Sequence, residues 1–201
     1  MTIRFVLALT LLVWMAPQTW AASCAEPSPS VAHGEDFRTA VDPKPLTASQ
    51  IESLRSLFMF ADRRWKGNAV EVQCVGTESD PRPKTTDYRL RGDGEGNREG
   101  MTLEIEMSHD DGVRREIMGL QIEDGMLKLR EGGLNSVDIL SLRPNEVAIR
   151  VAYGRRRRFG GVVHMESFWW FGRMGNDLVI RSETYSASGL AGEARWRLKP
   201  R

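Results

Sequence analysis

The sequence predicts a mainly β protein: an antiparallel up-and-down meander of about nine or ten strands, rolled into a closed or nearly closed soluble barrel, with one N-terminal amphipathic helix. Three observations carry this expectation. Several segments alternate apolar and polar residues with a period of two. Turn-forming residues separate them at hairpin spacing. Only one stretch has helical periodicity.

The alternation is purest from Met101 to Ser108, where Met101, Leu103, Ile105 and Met107 are apolar and the residues between them polar. Successive strand side chains point to opposite faces, so this pattern means one dry face and one wet face. Val147, Ile149, Val151 and Tyr153 repeat it around Arg150. So do Val70, Val72 and Cys74, and again Ala194, Trp196 and Leu198 between Arg195, Arg197 and Lys199. Turn signals stand between these runs: His109-Asp110-Asp111-Gly112, Asp124-Gly125, Gly132-Gly133, Pro144-Asn145 and Gly175-Asn176-Asp177. A meander of this kind hides its apolar face and its edges by rolling up. A membrane-spanning barrel is excluded by charge, because Glu104, Glu106, Arg150, Arg195 and Arg197 fall on the face that lipid would touch.

Ahead of the strands, Thr47-Ala48-Ser49-Gln50 has the form of a capping box. Ile51, Leu54, Leu57, Phe58 and Ala61 follow at helical spacing, with Glu52, Arg55 and Asp62 opposite, which gives a helix over 48–63. Residues 23–46 hold Pro27, Pro29, Pro43 and Pro45 with Ser28, Ser30 and Gly34, the composition of an extended lead. Residues 47–201 form a single domain.

The first residues set the compartment. Arg4 is followed by an apolar run from Phe5 to Ala16, interrupted only by Thr10, and then by Pro17 to Ser23, which ends in the small residues Ala21, Ala22 and Ser23. These are the parts of a secretory signal over 1–22, with cleavage anywhere from 21 to 23. The expected location is therefore outside the cytoplasm: periplasmic or secreted if the source is bacterial. Cys24 and Cys74 are the two cysteines, and in an oxidising compartment they are expected to pair. Lipidation of Cys24 as an outer-membrane lipoprotein is the alternative, and the two fates exclude each other. No metal or cofactor is expected from two cysteines without a histidine cluster.

The full chain holds 28 basic and 27 acidic residues, a balance that argues against nucleic acid as a partner. Membrane contact is expected only at a surface or through a lipidated Cys24. The distribution is uneven: 155–201 carries ten basic and four acidic residues.

Four groupings invite a chemical reading. His164 and Glu166 share one face of a strand with Phe168 and Trp170; if that face lines a cavity, they form a ligand site with two polar groups. Arg155, Arg156, Arg157 and Arg158 form a run able to bind anions, with the aromatics of 168–171 as possible support. His109 beside Asp110 and Asp111 reads as ordinary turn chemistry, and Glu183 with Tyr185 as a paired strand surface. No nucleophile motif or phosphate-cradling loop occurs.

Trp65-Lys66-Gly67 opens the first strand. A helix with an up-and-down meander resembles the calycin group, which includes lipocalins, although the lipocalin signature has Gly before Trp. The resemblance is one of architecture. The expected function is an exported binding module for an apolar or amphipathic small molecule. The alternative is an envelope interaction protein that contacts anionic lipid, polysaccharide or a protein through the arginine run. An enzyme using His164 and Glu166 is the third reading.

Overall fold

The computed structural model describes every residue except 1–23, 78 and 157–159. The expected leader with its cleavage site, and Arg157 and Arg158 of the arginine run, lie outside the described residues. Two helices, α1 (Pro29–Ala32) and α2 (Ala48–Ala61), precede eleven strands. These are β1 (Arg64–Thr77), β2 (Asp80–Gly96), β3 (Gly100–His109), β4 (Gly112–Glu123), β5 (Met126–Glu131), β6 (Leu134–Ser136), β7 (Asp138–Arg143), β8 (Glu146–Arg156), β9 (Val162–Met174), β10 (Asp177–Ser186) and β11 (Gly189–Pro200). They form one sheet in the order β6-β5-β4-β3-β2-β1-β11-β10-β9-β8-β7, every pair antiparallel. The sheet is a meander nearly closed into a barrel.

The closure follows from strand parity. Neighbours alternate in direction through eleven strands, so the two edge strands, β6 and β7, run the same way. They are also consecutive in the chain, separated only by Val137, which is buried in the core. The segment therefore passes straight from one sheet edge to the other, pairing first with β5 and then with β8. Because β7 pairs with β8 only up to Arg150, the rest of β8 up to Arg156 has β9 as its one neighbour, and a slit remains beside it.

One end of the barrel is filled. The capping box at Thr47 and Gln50 starts α2, which ends at Ala61, because Asp62 and Arg63 lead directly into β1. Leu54, Leu57, Phe58, Phe60 and Ala61 of this helix are buried with Trp65, Leu103, Ile149 and Phe171 in the main core. Its last turn sits almost on the β2 backbone. A Cβ at Gly94 would lie 2.1 Å from the Ala61 carbonyl oxygen, and one at Gly96 would lie 1.9 Å from that of Phe58. Gly94→Ala is therefore expected to push the helix outward and to cost about 1–3 kcal/mol in urea unfolding. An unchanged midpoint would show that the helix is not seated on β2.

The inner faces of the strands match the alternation for β3, where Met101, Leu103, Ile105 and Met107 are all buried. They also match for β8, with Val147, Ile149 and Val151, and for β11, with Trp196 and Leu198. β1 differs. Period two from the buried Trp65 turns Ala69 and Glu71 inward, whereas Val70, 40 % exposed, and Cys74 face out.

The Pro- and Ser-rich lead, expected as an extended tether, is packed on the outside of the barrel. A disulfide joins Cys24 to Cys74 on β1, which leaves no free cysteine and so excludes lipidation of Cys24 in this arrangement. From there the backbone carbonyl of Glu26 accepts from Leu190 N–H of β11 (3.0 Å), and Ser30 Oγ donates to Glu166 of β9 (3.4 Å). The Ala40 carbonyl accepts from Arg150 of β8 (2.9 Å), and Asp42 N–H donates to Asp138 of β7 (2.7 Å). Leu46 N–H finally reaches the Gly125 carbonyl in the β4–β5 turn (2.8 Å). The lead is a strap fastened at both ends.

Candidate ligand cavity

The end of the barrel away from α2 is hollow. Strand direction brings there the end of β1, the start of β4, the end of β5 and β8, the start of β9, the end of β10 and the start of β11. Their inner faces enclose an open cavity of about 450 Å³, within the range of small-molecule sites. Its floor is apolar. Met118, Met165, Trp169 and Trp196 line it above the packed core, and Trp169 stacks on Phe171 with ring centres 5.8 Å apart.

Polar groups occupy the walls. On one side Arg114 of β4 donates to Glu71 of β1, and its Nε lies 3.2 Å from Glu116 of the same strand. Burial alone lowers the pKa of the guanidinium, but the hydrogen bond and the charge of Glu71 raise it further. The Arg114 guanidinium also lies over the Tyr88 ring, 4.7 Å from its centre. Glu131, at the end of β5, faces the same space. On the other side Ser167 Oγ and Thr184 Oγ1 are 2.8 Å apart, and Ser167 also reaches the Tyr153 hydroxyl (3.4 Å). Two donors in the floor are left without acceptors: the indole N–H groups of Trp169 and Trp196, residues only 7 % and 5 % exposed. Buried polar groups are normally paired, so these two are unusual.

The residues proposed from sequence lie elsewhere. Inner positions on β9 are Met165, Ser167, Trp169 and Phe171, so His164, Glu166, Phe168 and Trp170 face outward, away from the cavity. His164 is exposed, whereas Glu166 is completely buried beneath the strap. Arg150, 1 % exposed, donates from Nε to Glu166 (3.0 Å) and from Nη1 to Asp138 (2.6 Å). The charge expected on a wet face is thus part of a buried ion cluster, because the strap covers that face. The outer aromatics of β9 meet side chains of β10: Phe168 packs edge-on against Tyr185 (5.9 Å), which is buried outside the main core, and the Arg181 guanidinium lies over the Trp170 ring (5.4 Å). Burial first, and then the Glu183 carboxylate that accepts its hydroxyl proton at 3.0 Å, raise the pKa of the Tyr185 phenol.

Arg155 lies on the inner face of β8 at the cavity rim, and Arg156 on the outer face; both are exposed. Register separates the arginine run from its supposed aromatic support. Arg155 pairs with Val163, but Phe168 pairs with Arg150, five residues or roughly 17 Å further along the strand. His109 Nδ1 bonds the Asp87 carbonyl at 3.0 Å, and Asp111 lies 3.9 Å from Nε2. Among the described residues no group of three or more His, Cys, Asp or Glu is placed to hold a metal ion.

Comparison of the chain with protein-family models, with curated proteins and with solved structures returns no match.

Proposed function

We propose that this protein is an exported binding module that holds an amphipathic small molecule in the hollow half of its barrel. The observation that carries this reading is the division of the interior. One half is filled by α2 and the main core, and the other is left open above an apolar floor. A protein whose barrel served only as a scaffold gains stability by filling that space. Export is supported by the Cys24–Cys74 disulfide, and among the described residues no helix is long and apolar enough to cross a membrane.

Titration with the neutral fluorescent probe N-phenyl-1-naphthylamine tests the reading. One saturable site is expected, with energy transfer from Trp169 and Trp196, which line the cavity. Replacing Ala194, another lining residue, with Phe should weaken binding while the near-ultraviolet circular dichroism remains native. A folded protein that shows no saturable binding sinks the proposal.

A further inference from the structure

The outer face of β2, β1, β11 and β10, in the middle of the sheet, gathers positive charge from four adjacent strands. Register lines that charge up in rows. Lys66 of β1 stands directly between Lys199 of β11 and Arg91 of β2. In the next row Arg197 and Arg89 flank Asn68, and in the third Arg181 of β10 is opposite Arg195 of β11. All of these cations are exposed. At ordinary strand and residue spacings they cover about 14 Å in each direction.

Like charges directly opposite each other on a sheet destabilise it. The fold relieves only part of that repulsion. Arg195 pairs with Glu193, Arg197 with Asp177 (2.6 Å), and Arg181 lies over the Trp170 ring (5.4 Å). Among the described residues the side chains of Lys66, Lys199, Arg89 and Arg91 have no ion pair or hydrogen bond. Glu106 of β3 stands opposite Arg91 but also opposite Arg115 of β4. Opposed carboxylates are handled differently. Asp93 faces Glu104, and Glu183 faces Glu193, yet each has its own partner in Arg64, Arg115, the Tyr185 hydroxyl or Arg195.

We infer that this face docks on an anionic lipid surface. A packed layer of phosphate headgroups meets all three rows at once, whereas a single linear polyanion follows one of them. Val70, 40 % exposed between Arg195 and Asp87, adds a small apolar contact within the face. Attachment is electrostatic and therefore weakened by salt. The inference goes beyond the cavity reading and does not need it. The cavity opens at the end of the barrel, so a protein lying on this side wall keeps its mouth clear. Four of the ten basic residues of 155–201, Arg181, Arg195, Arg197 and Lys199, belong to the face.

Sedimentation of the full folded chain with vesicles tests the inference. Vesicles of equal parts phosphatidylglycerol and phosphatidylcholine should bind it at low salt, and vesicles of phosphatidylcholine alone should not. Binding should fade as salt rises from about 0.05 M to about 0.5 M. Lys66→Ser, Arg91→Ser and Lys199→Ser together should weaken it on the order of 100-fold, about fivefold for each residue, without lowering the urea midpoint. Lys44→Ser, Arg130→Ser and Arg156→Ser, which remove the same charge from the far side of the barrel, should change it less than about threefold. Equal binding to both vesicles, binding to neither, or equal losses in the two triple variants overturns the inference. Tight binding to dextran sulfate with none to vesicles also overturns it and points to a polysaccharide instead. If the first triple variant does not fold, Arg89→Ser with Arg91→Ser provides the same comparison, with a loss of about 25-fold.

Discussion

Arg150→Met is expected to lower the stability of the protein by about 3–5 kcal/mol, measured as a shift in the urea midpoint at constant slope. Arg150 is 1 % exposed and Glu166 is fully buried. The Arg150 guanidinium donates to Glu166 Oε2, Asp138 and the Ala40 carbonyl at once, at 3.0, 2.6 and 2.9 Å. Methionine has a similar shape but leaves the Glu166 carboxylate in a dry site with only the Ser30 hydroxyl, 3.4 Å away. An uncompensated buried charge costs far more than the intact pair contributes. The double variant Arg150→Met with Glu166→Leu removes the stranded charge and should recover most of the loss. If the single variant costs less than about 1 kcal/mol, water reaches Glu166 and the strap does not seal it.

The same cluster shows what was legible in the sequence. Period-two alternation identified the inner faces of β3, β8 and β11 because each strand pairs with neighbours of matching pattern and one side is dry. It could not identify what covers the outer side. Arg150 and Glu166 look like solvated residues in the strand pattern. The segment that buries them is more than 100 residues away in the chain, in a proline-rich stretch without periodicity. For the same reason Val70, Val72 and Cys74 read as an inner face on β1. Apolar character on alternate residues does not say which side of a strand faces in, and there the barrel places Glu71 inside.

The cavity did leave a trace in the sequence, along the strands rather than across them. On β4 the inner positions run Arg114, Glu116, Met118, Leu120; on β10 they run Leu178, Ile180, Ser182, Thr184. The β4 face changes from polar to apolar along the chain and the β10 face from apolar to polar, and since these two strands run in opposite directions their polar ends gather at one end of the barrel. A filled barrel has no reason for that gradient. His164 and Glu166 attracted attention because they sit among aromatics, but the odd positions of β9, not the even ones, line the interior.

Removing the disulfide should have an effect of similar size to the loss of Arg150, by a different route. Cys24 and Cys74 are 50 residues apart, and a loop of that length, once opened, returns about 4 kcal/mol of conformational entropy to the unfolded chain. Cys24→Ser with Cys74→Ser is therefore expected to destabilise by about 2–4 kcal/mol. The native state changes as well. Without the bond, the first half of the strap is held by the Glu26 carbonyl, the Ser30 hydroxyl and the packing around Tyr185 and Leu190. Hydrogen exchange should then lose protection from Ser30 to Asp42 first, while β3 and α2, which pack in the main core, keep theirs. Opening of the strap lets water reach Glu166, so in the serine double variant the added cost of Arg150→Met should shrink by more than 0.5 kcal/mol, the coupling that contacting sites show. Strictly additive effects would mean that the strap stays closed over the ion cluster without its covalent anchor.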